Sequence, residues 1–129
     1  MGTFRQAIEI GDFEGSHFER VEALVDTGAT YTSIPREILA RLGVSAQEER
    51  PFILANGHQV SYGIAWIRLR LDGREQPTLV IFADEGSQPL LGAFSLEGFG
   101  LAADPQNRRL IPTPGFLVPL KAAGNSEPS

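Results

Sequence analysis

The chain has no cysteine, one methionine, one tryptophan and two histidines among 129 residues. The missing thiol excludes disulfides, cysteine–zinc centres and thiol nucleophiles. His17 and His58 have no ligand pattern around them and read as surface histidines, so no metal is expected. Basic clusters are also lacking: the net charge is −5 with Lys and Arg scattered, which argues against a nucleic-acid surface. No apolar run is long enough to cross a bilayer, and the first residues lack the layout of a signal peptide. Neither membrane association nor export is therefore expected, and the cytoplasm is the expected location. There is no Gly-x-Ser-x-Gly, P-loop or dinucleotide-binding pattern, and no cofactor is expected.

What remains is an ordinary soluble composition, 42% hydrophobic and 21% charged, at the size of one domain. Residues 1–112 read as that domain, and 113–129, rich in Pro, Gly and Ser, as a tail expected to be partly flexible. Within the tail, Gly115–Leu120 ("GFLVPL") is apolar and is expected to cover its own domain or a mate.

Most of the chain reads as strands separated by turns, a mainly β fold. Phe4–Ile10 alternates loosely up to Gly11-Asp12, and Phe18–Val25 leads into Asp26. Ile34–Leu42 differs: Pro35 suits a first helical position, Ile38, Leu39 and Leu42 share a helical face, and Gly43 sits where a helix is capped. A short helix is expected there. Glu48-Glu49-Arg50 reads as a solvated loop, Pro51–Ala55 as a strand, and Asn56-Gly57 as a tight hairpin turn into Val60–Leu71. Trp66 begins the alternating stretch "WIRLRL" and reads as a packing residue. Asp72-Gly73 marks a second hairpin, Thr78–Ala83 a buried strand, and Asp84–Pro89 a loop. Leu90–Gly100 places an apolar pair and a glycine before a short helical stretch, and a last hairpin spans Leu101–Ala103 and Arg108–Ile111.

The stretch "ALVDTGATYTSIP" (Ala23–Pro35) carries the chemistry. Asp26 ends an apolar strand, and Gly28 permits a sharp turn and a close backbone approach. A carboxylate so placed projects from rigid support, as a catalytic group requires. Thr27 adds a hydroxyl able to hold the turn. Taken alone, Asp26-Thr27-Gly28 is more often an ordinary turn, since turns use these residues constantly.

Two further features change that balance. Downstream, "PLLGAFSLEGFGL" (Pro89–Leu101) supplies an apolar-apolar-Gly element before a helix, and the Asn56-Gly57-His58 hairpin lies between. Together they resemble the retropepsin-like aspartic proteases, the family of retroviral proteases, eukaryotic DNA-damage-inducible proteins and small bacterial relatives. Every element of that family occurs in order from about Phe4 to Ile111. The terminal "GLAADPQNRRLIP" looks most like the bacterial and damage-inducible branches.

The resemblance implies an acid-protease half-barrel with a flap hairpin and one or two short helices. It also implies that Asp26 is catalytic, that Thr27 and Gly28 support it, and that Gly28, Ala29, Ala55, Asn56, Gly57 and His58 contact substrate. Asp26 is the one Asp in an Asp-Thr-Gly setting; Asp12, Asp72, Asp84 and Asp104 fall in turns or loops. The second carboxylate must then come from a second copy, which makes the expected partner a symmetric homodimer mate and the expected substrate a peptide. Two departures stand out. Thr30-Tyr31 and Ala93 replace the acidic residues and the Arg that form a supporting ion pair in retroviral proteases, and the flap tip has only Gly57. The same sequence is compatible with a non-catalytic dimerisation or peptide-binding module, and with hydrolysis of a non-peptide amide.

Overall fold

Loose alternation at the N-terminal end forms β1 (Phe4–Gly11), paired antiparallel along its whole length with β2 (Phe18–Val25), Phe4 opposite Val25. The computed structural model describes residues 3–115, so the segment Phe116–Leu120 and the packing expected of it lie outside the described residues. The β1–β2 loop is tied by Asp12, whose Oδ1 accepts the N–H groups of Ser16 (2.8 Å) and His17 (2.9 Å). At Gly11 a Cβ would lie 2.7 Å from the His17 carbonyl oxygen, so this end of the hairpin closes only around a glycine.

After the Asp26 loop come β3 (Thr32–Pro35) and α1 (Arg36–Arg41). The helix expected over Ile34–Leu42 is therefore shorter. Ile34 is fully buried and, with Pro35, pairs parallel with Phe82 and Ala83, so β-branching and sheet burial override the helical spacing. Pro35 is the N-cap, and Gly43, at φ +77°, takes the left-handed position that ends the helix, as its place in the sequence predicts.

β4 (Glu48–Ile53) pairs antiparallel with the long β5 (Gln59–Leu71), from Glu48 opposite Ile64 to Ile53 opposite Gln59. Glu48-Glu49-Arg50 is thus strand rather than loop. Its side chains face water as their composition indicates, but the length of β5 provides a backbone partner for each residue. The strand expected over Pro51–Ala55 ends at Ile53, and the turn runs from Leu54 to His58, closed by Leu54 N–H to the His58 carbonyl at 2.8 Å. The β5–β6 hairpin turns at Asp72-Gly73, both at positive φ, as a two-residue Asp-Gly turn requires.

β6 (Arg74–Ala83) is buried at Thr78, Leu79 and Val80 but opens from Ile81 onward, where the wholly buried reading fails. β7 (Leu90–Leu91), α2 (Ala93–Gly98), β8 (Leu101–Asp104) and β9 (Arg109–Pro112) complete the elements of the described residues. Seven strands form one sheet in the order β1-β2-β7-β3-β6-β5-β4. A further β1–β5 pairing at Glu9–Gly11 curls this sheet back on itself, while β8 and β9, among the described residues, pair only with each other. Ile10, Ile34, Leu39, Ile67, Leu69, Val80 and Leu91 fill the curl at 0% exposure. Trp66, expected to be a packing residue, packs against Phe94 on the outer face, at 42% exposure. Strand alternation decides this, since its neighbours Ala65 and Ile67 take the core side.

The Asp12 tie has a pH signature. The His17 N–H, with that of Ser16 behind it, holds the carboxyl below the ordinary aspartate value of 3.8. A lowered carboxyl supports the loop fully above 3.8 and loses that support as pH falls through the lower folded value. The amide resonances of Ser16 and His17 should titrate together with a midpoint below 3.8, and the titration should vanish in Asp12→Ala. A midpoint at or above that value would contradict the tie.

Candidate active site

Asp26 follows directly on Val25, the buried last residue of β2, which pairs in parallel with Leu91 of β7. The Asp26 N–H continues this pairing to the Leu91 carbonyl at 3.0 Å, so the backbone beneath the carboxylate is held as strand. The chain then turns sharply. Ala29 N–H returns to the Asp26 carbonyl, and Gly28 N–H donates to Asp26 Oδ1, both at 3.0 Å. The carboxylate is thus aimed by its own loop, half-buried, with Thr27 and Gly28 exposed beside it.

The other side of the loop rests on the start of α2. This six-residue helix has no side-chain N-cap. Instead, Ala93 N–H donates to the Ala29 carbonyl (2.9 Å) and Phe94 N–H to the Thr30 carbonyl (2.8 Å), while Gly92 N–H donates to Thr32 Oγ1 (3.1 Å). Donors that a helix start leaves unpaired are thereby used to hold the Asp26 loop. Thr30, Tyr31 and Ala93, which cannot make the ion pair of retroviral proteases, sit where main-chain hydrogen bonds do the holding. Gly92 makes the approach possible, because a Cβ there would lie 2.6 Å from the Tyr31 carbonyl.

Two hollows meet at Gly28. One, of about 520 Å³, is lined by Thr3, Val25, Asp26, Thr27, Gly28 and two residues of the last hairpin, Ala103 and Pro105. The other, of about 450 Å³, is a largely apolar groove that includes Ala29, Tyr31, Phe52, Leu54, Tyr62 and Ile81. The expected flap residues Ala55, Asn56, Gly57 and His58 are exposed at the hairpin tip and line neither hollow. The β4 and β5 arms supply the wall instead. Tyr62 touches Phe52 and Phe52 touches Tyr31, each with ring centroids 6.2 Å apart, and Tyr31 continues to Phe94 at 5.8 Å. Sequence reading missed these aromatics, although the signal was present. Counting outward from Asn56, the centre of the turn, puts Phe52 opposite Val60, one step from Tyr62 on the same face.

A third hollow, of about 490 Å³, lies at Glu9, Arg20, Arg70 and Glu75, away from Asp26. Arg70 is paired there with Glu75 at 3.0 Å and with Glu9 at 3.5 Å. Among the described residues no three His, Asp or Glu side chains converge as a metal-ligand set. No helix of the described residues is long and apolar enough to cross a membrane.

The curled sheet, the Asp26 loop seated on α2 and the hairpin whose arms wall the groove are those of a retroviral protease fold. The solution structure of simian foamy virus (mac) protease is similar, with TM-score 0.53 and 18% identity over 74% of this chain and 93% of that one. EIAV protease complexed with the inhibitor HBY-793 is similar too, with TM-score 0.56 and 19% identity over 74% and 86%. The chain belongs to the family described as "gag-polyprotein putative aspartyl protease", which matches residues 13–97 and so spans Asp26, the hairpin and most of α2. No curated protein matches the chain.

The two glycines of the site should behave oppositely. Gly92→Ala drives a methyl into backbone that cannot yield and should cost about 3 kcal/mol, near the upper end for overpacking. Gly28→Ala meets only Asp26 Oδ1, at 3.2 Å, and should cost less than about 1 kcal/mol. Urea denaturation of both variants checks this; equal losses would contradict the assigned contacts.

Proposed function

We propose that the chain is an aspartic endopeptidase acting as a symmetric homodimer, with Asp26 of each protomer forming the catalytic pair. The observation that carries this reading is the placement of one strand-held carboxylate where an apolar groove meets a second hollow. No other aspartate lines either hollow. Asp104 is nearest in sequence to the lining residues, between Ala103 and Pro105, but its carboxylate is taken up within its own turn by Asn107, at 2.8 Å from the side-chain amide. A second Asp26 supplies what one protomer lacks.

Two carboxylates held close share one proton. The ionised member takes a proton from a water between them. The resulting oxygen nucleophile attacks the scissile carbonyl, and the protonated member donates to the carbonyl oxygen. Proton transfer to the leaving nitrogen then lets the C–N bond break. Thr27 braces the pair across the two-fold axis, while Gly28 and Ala29 meet the substrate backbone. The Ala55–His58 tip closes over the peptide and excludes water. Tyr31, Phe52, Tyr62 and Ile81 favour a large apolar side chain next to the cut. The β8–β9 ribbon, whose Ala103 and Pro105 border Asp26, forms part of the face toward the mate. Among the described residues its two strands pair with each other and with no third strand, which leaves their outer edges open to a partner. A cytoplasmic location fits the same reading.

Asp26→Asn keeps an oxygen for the Gly28 N–H but removes the shared proton from both protomers at once. Cleavage of a peptide library should fall at least about 10²-fold, to background, with thermal stability and dimer mass unchanged. Unfolding of the variant would mean that Asp26 only holds a turn, and retained cleavage would refute its role. In the wild type, kcat/KM should be bell-shaped in pH with its maximum on the acid side of neutrality. A rate rising steadily into the alkaline range would count against a shared proton.

A further inference from the structure

Among the described residues, the fully buried polar side chains are Thr32, Thr78 and Ser95, at 0%, 2% and 1% exposure. They form one cluster. Ser95 Oγ lies 2.6 Å from Thr32 Oγ1 and 2.7 Å from Thr78 Oγ1, and Thr32 Oγ1 also accepts the Gly92 N–H at 3.1 Å. One hydroxyl on α2 therefore joins β6, β3 and the corner at Gly92.

An apolar core has no need of these hydroxyls for cohesion. Replacing all partners of a buried hydrogen-bonded set with apolar groups of the same shape is close to neutral, whereas leaving one unpaired is costly. What the cluster adds is geometry, since each hydroxyl fixes the rotamer of the next. Its output end is informative. Gly92 follows Leu91, whose carbonyl holds the Asp26 N–H, and precedes Ala93 and Phe94, whose N–H groups hold the Ala29 and Thr30 carbonyls.

We propose that Ser95 is a positioning residue for Asp26, acting through Thr32 on the Gly92 corner. With the Ser95 hydroxyl in place, Thr32 Oγ1 is turned so that a lone pair faces the Gly92 N–H, and the corner sits at one height beneath the Asp26 loop. Without it, Thr32 can rotate, the Gly92 N–H loses its acceptor, and the Leu91 carbonyl is free to drift from Asp26. Thr78 anchors the far side of Ser95, while the Gly92 N–H donates to Thr32 and not to Thr78, so the influence of Thr78 on Asp26 is weaker. The kinetic consequence rests on the catalytic reading of Asp26; the mechanical one does not.

The test is amide hydrogen exchange in Ser95→Ala, Thr32→Val and Thr78→Val, with the Ile67 amide in the core as the internal standard. Relative to Ile67, the Asp26 and Gly92 amides should exchange about tenfold faster in Ser95→Ala and Thr32→Val, and stay within about threefold of wild type in Thr78→Val. If Ser95→Ala does not fold, Ser95→Cys, which keeps the shape but has only a weak hydrogen-bonding group, decides the matter. In cleavage assays the same two variants should lose kcat with KM unchanged, and Ser95→Thr, which restores a hydroxyl, should recover it. Exchange that rises equally at Asp26, Gly92 and Ile67 in all three variants would overturn the proposal. So would an accelerated Asp26 amide with unchanged kcat in an active enzyme. If wild type cleaves no peptide, the protease reading falls and the exchange ratio alone decides the positioning role.

Discussion

The Asp26 N–H bond to the Leu91 carbonyl, at 3.0 Å, joins two segments far apart in sequence at the point where both leave the sheet. Val25 and Leu91 are neighbouring parallel strand residues, each almost wholly buried, so the bond is the last rung of a ladder rather than an isolated contact. Beyond it the chain departs in two directions, into the Asp26 loop on one side and into α2 on the other. The two then meet again through Ala29, Thr30, Gly92, Ala93 and Phe94. A carboxylate carried by such a crossing has little freedom to move. Preorganisation of this kind, paid for by the hydrophobic core below, is what acid–base chemistry demands of its scaffold.

The remaining features follow from that fixed point. Gly92 must be a glycine because the crossing leaves no space for a methyl, and Thr32 must carry a hydroxyl because the Gly92 N–H is buried there. The hairpin of β4 and β5 leans on the crossing through Phe52 and Tyr31, whose partner Phe94 belongs to α2. Groove wall and carboxylate support therefore share one aromatic cluster. By contrast, the surface ion pairs, such as Arg20 with Glu22 and Arg50 with Glu48, join exposed side chains and contribute little.

Much of this was legible in the sequence, because local signals and burial agreed. An apolar strand running into Asp-Thr-Gly, Asn-Gly and Asp-Gly turns between alternating stretches, and an apolar pair before a glycine have one favoured reading when taken together and in order. Misreadings arose where distant partners decided the outcome. Ile34 and Pro35 lie where the helical stretch was expected to begin but are claimed by β6, and Glu48–Arg50 has loop composition but is claimed by the long β5. The groove wall was hidden for a related reason. The tip of a hairpin is conspicuous in sequence, whereas the residues that face inward depend on register, which placed Phe52 and Tyr62 at the groove and left Ala55–His58 exposed. The Thr32–Ser95–Thr78 cluster had no local signature, since three lone hydroxyl residues look like surface until the fold brings them together.

The central claim is that two copies of Asp26 make one site, and subunit mixing tests it most directly. Wild type and Asp26→Asn are combined in equal amounts, exchanged to equilibrium, and assayed at fixed total protein. If both carboxylates are required, only dimers with two wild-type protomers cleave, and activity falls to about a quarter of the pure wild type. Activity of one half, tracking the wild-type fraction linearly, would show that a single Asp26 suffices and would contradict the shared site.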